Sequence, residues 1–390
     1  MKNVKVILTG VALCATLFAT NQRIHALGGD SGFWPNDKDN INYFPSSIND
    51  HGFVEVDGVG TAGGTGDVSA TVLFGDDTKW GFSYDEADSD SWFNLMWGSG
   101  DMGIKGGLVS SSDGDDDTDD ASGFNFAYGQ RFSWGELGVG LVSGAHNEDG
   151  DFNNDQMDYW LNWRGDLGFW IFDQSKASLM MTDDGDDGTS MGLGFDMFTH
   201  MDAGGADVLF GMGFGYQSNS WGDATAAAQI GTASADAYCT LGGVDNDAVS
   251  AWDCATLGGT YTDAVEESAD YEAAVEDREG GTATVMHLPA VNLAVEADIT
   301  DWATFRCFVN TDYTVSSSND GDGGVDGNGY AMDGHTGAST SYGMGLGFNW
   351  GGLTADMSIS ENLLQDPISY MTGYSGESLT NYGVTLTYSF

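Results

Sequence analysis

Lys105, Arg131, Arg164 and Arg306 stand at positions of one parity within alternating stretches of the chain. So do Glu136, Asp158, Asp196, Glu296 and Asp356, joined by Glu55 and Asp298. The residues between them are large and apolar, as Leu161 and Trp163 are before Arg164 and Phe305 is before Arg306. Successive side chains of an extended strand point to opposite faces, so the charges share one face and the apolar residues the other. Opposed acids and bases that face a common space can do one of two things. Around a water-filled lumen they set up a transverse field that orders water and orients permeating solutes. In a narrow or plugged interior they pair with each other and fill it.

The remaining chemistry-bearing residues give weaker patterns. Asp149, Asp151, Asn153 and Asp155 alternate as the oxygen ligands of a calcium loop do. However, Asn154 stands where the turn glycine belongs and Trp160 where the bidentate glutamate belongs. With the Asp-Gly runs near Asp113, Asp183 and Asp320, they read as solvated, mutually repelling loops that bind Ca²⁺ or Mg²⁺ loosely, and no other cofactor is expected. Cys239 and Cys254 lie in one long connection at a spacing a disulfide could close in an oxidising compartment. His51, His146, His200, His287 and His335 are scattered. Neither a Gly-x-Ser-x-Gly elbow nor a His-Glu-x-x-His pair is present, so an enzyme is not expected.

The elements that must position the charged face are strands. Counting apolar residues two apart predicts them over 53–60, 67–74, 79–86, 91–98, 102–109, 122–132, 135–143, 156–164, 166–182, 189–199, 206–217, 283–298, 303–313, 341–350, 353–361 and 381–390. Long acidic connections alternate with very short ones. The stretch 166–182 is read as one strand, because a split at Gln174-Ser175-Lys176 would make the number odd. The fold class is therefore all-β, an antiparallel up-and-down barrel of about 16 strands, with 14 to 18 allowed by soft boundaries. Runs such as Gly343-Met344-Gly345-Leu346-Gly347-Phe348 put large residues on one face and bare glycine on the other, which leaves room inside for water or a plug.

Composition narrows the partners. Sixty acidic residues against 11 basic ones give a formal charge of −49, a field that excludes nucleic acid. The 12 Trp, 21 Phe and 15 Tyr exclude a disordered acidic chain. Lys2 and Lys5, an apolar run from Val6 to Ala19 and the small residue of Ile24-His25-Ala26 predict a secretory signal peptide over 1–26. Residues 27–52, with Phe33-Trp34-Pro35 and Tyr43-Phe44-Pro45, have no period and are read as an irregular segment able to plug a lumen. The barrel occupies 53–390. Its longest insert, 218–281, has helical composition at Ala224 to Ala228 and Asp263 to Glu279.

The last strand carries a resemblance. Tyr382, Val384, Leu386, Tyr388 and Phe390 alternate with Gly383, Thr385, Thr387 and Ser389. This pattern resembles the final strand of Gram-negative outer-membrane β-barrel proteins. It implies a transmembrane barrel, an assembly signal read by the barrel-assembly machinery, and surroundings of outer-membrane lipid and lipopolysaccharide. Asp39, Ile41 and Phe44-Pro45-Ser46 resemble the amino-terminal segment of FadL-type transporters without that family's Asn-Pro-Ala. That likeness implies a segment lying within the barrel. The function expected is passive diffusion of small solutes with a preference for cations, since barrels near 16 strands enclose an aqueous passage. The alternative is a structural or adhesive surface protein with a plugged barrel.

Overall fold

A computed structural model of the chain describes residues 20–59, 69–85, 93–111, 121–144, 157–183, 188–221, 238–241, 244–246, 260–262, 281–320, 336–359 and 380–390. The chain forms two units. The larger contains a closed barrel of β1 (Phe53–Val59), β2 (Ser69–Phe74), β3 (Thr78–Asp85), β4 (Phe93–Ser99), β5 (Met102–Ser111), β6 (Ala121–Phe132), β7 (Gly135–Ser143), β8 (Met157–Gly165), β9 (Gln174–Asp183), β10 (Thr189–Asp202), β11 (Ala206–Trp221), β15 (Gly281–Thr300), β16 (Ala303–Asp320), β17 (Gly337–Trp350), β18 (Leu353–Ile359) and β19 (Thr380–Ser389). Each strand pairs with its neighbour in sequence, β11 joins β15, and β1 closes against β19, giving sixteen strands as expected. The smaller unit holds a three-stranded antiparallel sheet of β12 (Tyr238–Leu241), β13 (Val244–Asn246) and β14 (Thr260–Thr262), in the order β13-β12-β14. The helical stretches expected near Ala224 and Asp263 lie outside the described residues.

Strand β17 shows why these sequences form this wall. Tyr342, Met344, Leu346, Phe348 and Trp350 face out, while Gly343, Gly345 and Gly347 face in. From Tyr342 to Trp350, eight steps of ~3.3 Å each on a strand tilted ~40° span roughly 20 Å of barrel height, close to the ~25 Å apolar band of a transmembrane barrel. Aromatic pairs gather at the end where connections are short. Phe132 stacks on Trp134 at 4.8 Å, and Trp302, Phe348 and Trp350 stack in sequence at 6.0 and 5.8 Å.

One element differs from expectation. The stretch 166–182 is not one strand: β9 begins at Gln174, and 166–173 is a turn closed by a Phe169–Phe172 bridge with Trp170 at φ 60°. Leu167, Phe169 and Ile171 alternate because they sit in the aromatic rim at the barrel's short-turn end, not because they belong to a ladder. All are exposed, Trp170 most of all at 82%.

Candidate functional site

The lumen is not empty. Residues 20–52 run through it as α1 (Asn21–His25) and three 3₁₀ turns, Ser31–Phe33, Lys38–Asn42 and Pro45–Asp50. Short polar side chains start these turns: Thr20 accepts from the Arg23 amide, Asp30 from the Gly32 amide and Asp37 from the Asp39 amide. A signal peptide ending at Ala26 would have removed the first of these elements from the fold. In the full chain, Thr20, Gln22, Arg23, Ile24 and Ala26 are buried against the wall.

The first half of this plug is held through side chains. Arg23 donates to Glu296 on β15 at 2.9 and 2.6 Å and to Asp37 within the plug. Arg306 on β16 donates to the same Glu296 at 2.7 Å and to Asp356 on β18 at 2.6 Å, and Thr20 donates to the other Asp356 oxygen at 2.9 Å. Lys176 bridges Asp30 of the plug and Asp196 of β10, the latter at 3.1 Å. His200 has one ring nitrogen 3.0 Å from Asp207 and the other 2.8 Å from the Phe33 carbonyl. Between these charges lies an apolar cluster of Ile24, Leu27, Phe33, Trp34, Phe198, Leu209 and Ala294.

The second half lies with its backbone directly on the wall. A methyl group on Gly103 would overlap the Pro45 carbonyl, one on Gly129 the Ser46 amide, and one on Gly138 the Tyr43 carbonyl. Gly98 similarly makes room for Ile48, which is wholly buried. Only a residue without Cβ permits such an approach, which accounts for bare glycine on inward positions of β4 to β7. Ser46 donates to Glu136 at 2.6 Å, Arg164 donates to Glu136 at 2.7 Å and to Asn40 at 3.0 Å, and Arg131 joins Asp50 to Glu136. Lys105 donates to Asn42 at 2.9 Å.

Between the halves, Lys38 donates to Asp39 at 3.0 Å and to Glu55 of β1 at 2.7 Å. Burial works against its charge, but Asp39 and Glu55 outweigh it and hold Lys38 as an ammonium. Burial also pushes His51 down to about 4, so its imidazole is neutral where the plug meets β1.

All nine lumen residues named from parity therefore sit on the inward face. Seven of them pair with the plug or with each other, Asp196 pairs with Lys176 of β9, and Asp158 keeps a buried carboxylate oxygen with no hydrogen-bond partner among the described residues. Sequence reasoning missed Lys38, Asp37 and Arg23, which lie in stretches without a period, and Lys176, which was hidden at the edge of the misread strand. Of the assembly-signal residues, Val384, Leu386, Tyr388 and Phe390 lie at the outward parity of β19, with Thr385 and Thr387 buried inward. Tyr382 takes part in the strand backbone. The Cys239–Cys254 disulfide and the calcium-like Asp149, Asp151, Asn153 and Asp155 fall outside the described side chains.

Beside the plug is a polar chamber of about 400 Å³. Its lining includes Asp39, Asn42 and Tyr43 of the plug and Glu55, Asp57, Ser69, Thr71, Ser83, Lys105, Asn125 and Trp160 of β1 to β8.

No protein-family model and no curated protein matches this chain. Among solved structures it is similar to a porin at 10% identity with a TM-score of 0.35, over 87% of this chain and 97% of that one. It is also similar to the translocator domain of the autotransporter NalP from Neisseria meningitidis at 9% identity with a TM-score of 0.24, over 86% and 83%. By its own strand order the chain is a closed, sixteen-stranded, antiparallel up-and-down barrel.

Proposed function

We propose that this barrel is an exported outer-membrane protein that passes small polar solutes along a passage between its plug and the β1–β8 wall, cations in preference to anions. The observation that carries the reading is the acid-rich chamber, where Asp39, Glu55 and Asp57 are set against Lys38 and Lys105. Charged walls of one sign in a low-dielectric cleft concentrate counter-ions. Glu136, Asp158, Asp196, Glu296 and Asp356, with Arg131, Arg164 and Arg306, shape the rest of the lumen. Lipid and lipopolysaccharide surround the apolar outer face, and the pattern from Tyr382 to Phe390 serves the assembly machinery. The acidic connections hold Ca²⁺ or Mg²⁺ only loosely, and no catalytic role is assigned.

Reversal potentials across a salt gradient in planar bilayers test this. Cation preference is expected, fading in part at high salt as the Debye length falls from ~10 Å at 0.1 M to ~3 Å at 1 M. Anion preference would overturn the selectivity. No conductance from assembled protein would favour the second reading, a plugged structural or adhesive barrel. That reading is supported by the bonds that tie the plug to strands on every side of the lumen, from Glu55 on β1 to Asp356 on β18.

A further inference from the structure

Trp160 projects inward from β8, with the same parity as Asp158, Asn162 and Arg164. On the adjacent β7, Gly140 and Gly138 leave nothing beneath it. A methyl group on Gly140 would overlap the indole, and one on Gly138 would stand 3.2 Å from Cζ3. The ring is therefore laid against the wall over two glycines, and it lines the chamber with its remaining surface. Tyr43, whose carbonyl rests on Gly138, contributes a second ring that is 46% exposed on the plug side. The opposite wall offers the hydroxyls of Ser69, Thr71 and Ser83.

The acids around this space are already engaged. Glu55 accepts from Lys38 and Thr387, and Asp57 accepts from Asn21, Thr385 and the Gly58 amide. They can repel anions at a distance, but they are poor direct ligands for a further cation, because their lone pairs are committed to donors. A hydroxyl without a hydrogen-bond partner among the described residues, that of Ser31, also stands in the lining. A chamber of about 400 Å³ is within the roughly 300–1,000 Å³ range of small-ligand sites. Aromatic faces carry negative charge density and attract positively polarised C–H edges, while side-chain hydroxyls exchange hydrogen bonds with a solute's hydroxyl groups.

We propose that the chamber is a binding site for a neutral polyhydroxylated solute, a short saccharide, with Trp160 as the stacking platform and Ser69, Thr71 and Ser83 as its hydrogen-bonding partners. The site rests on the reading of this lumen as a passage, and it names the class of solute that would pause there.

Isothermal titration with maltose, on the full-length protein folded in a detergent without a sugar headgroup, measures the site independently of conductance. Saturable binding is expected. Trp160→Ala should weaken it about tenfold, the value of one good aromatic contact. Trp160→Phe, which keeps a ring, should retain most of it and covers the case in which the alanine variant does not fold. Absence of binding to the wild type, equal affinity in Trp160→Ala and wild type, or displacement of maltose by putrescine would each overturn the proposal. Binding without bilayer conductance would sink the channel and leave the site; conductance without binding would do the reverse.

Discussion

The two halves of the plug meet the same barrel by different means. Residues 20–37 reach across to β8–β11 and β15–β18 with long side chains, and their contacts are mostly charged groups taken out of water. Residues 42–50 press their backbone onto β4–β7, where the wall has given up its own side chains. The first arrangement tolerates changes of shape and is intolerant of changes of charge. The second is intolerant of changes of shape, whatever its charges at Glu136 and Arg164 contribute. Gly345, which makes room for Ala26, and Gly211, beside Phe33, show that the first half uses a related device too.

The largest effect should come from Arg306→Ala. It leaves Glu296 and Asp356 facing each other with only Arg23 and Thr20 as donors, and breaking a buried pair costs about 3–5 kcal/mol. A lower urea midpoint in heat-modifiability gels would report it; an unchanged midpoint would mean that this half is not held by charge. Gly103→Ala and Gly129→Ala should each cost about 1–3 kcal/mol by overpacking, while leaving every ion pair of the first half in place. Protease sensitivity of the plug in folded protein should rise near Pro45 and not near Arg23.

A pH titration sharpens the contrast further. His51 is depressed to about 4 in the fold from an ordinary value near 6.5. Its contribution is therefore fully present above pH ~6.5 and is lost as pH falls through about 4. Unfolding midpoints should drop over that window in the wild type and less in His51→Gln. The smallest change is expected for Lys105→Ala, which removes one partly solvated hydrogen bond to Asn42, about 0.5–1.5 kcal/mol. Its main effect should be a rise in cation preference in reversal-potential measurements.

Much of the wall was legible before the structure, because lipid-facing positions must be apolar and a strand alternates without choice. The inward placement of Arg131, Arg164, Arg306 and Glu296 follows from parity alone. The plug was legible only as a segment without a period. Its partners are far away in sequence, Thr20 meeting Asp356 and Ser46 meeting Glu136, and no local rule relates such pairs. Arg23 lies in a stretch whose composition reads as a leader, so its pairing with Glu296 could not be read from the sequence. Bare glycine on the inner face was visible as a pattern. Whether a given glycine lies beneath the plug, as Gly103 does, or beneath a wall side chain, as Gly140 lies under Trp160, depends on three-dimensional neighbours.

The seam between β1 and β19 ties these observations to the closing of the ring. Glu55 and Asp57 on the first strand accept from Thr387 and Thr385 on the last, and Lys38 of the plug donates to that same Glu55. The Phe390 amide donates to the Gly52 carbonyl at 3.2 Å, just where plug gives way to wall. The final strand thus docks onto a first strand whose carboxylate it shares with the plug. Closing the ring at this seam and seating residues 20–52 therefore draw on the same carboxylate, which couples the two.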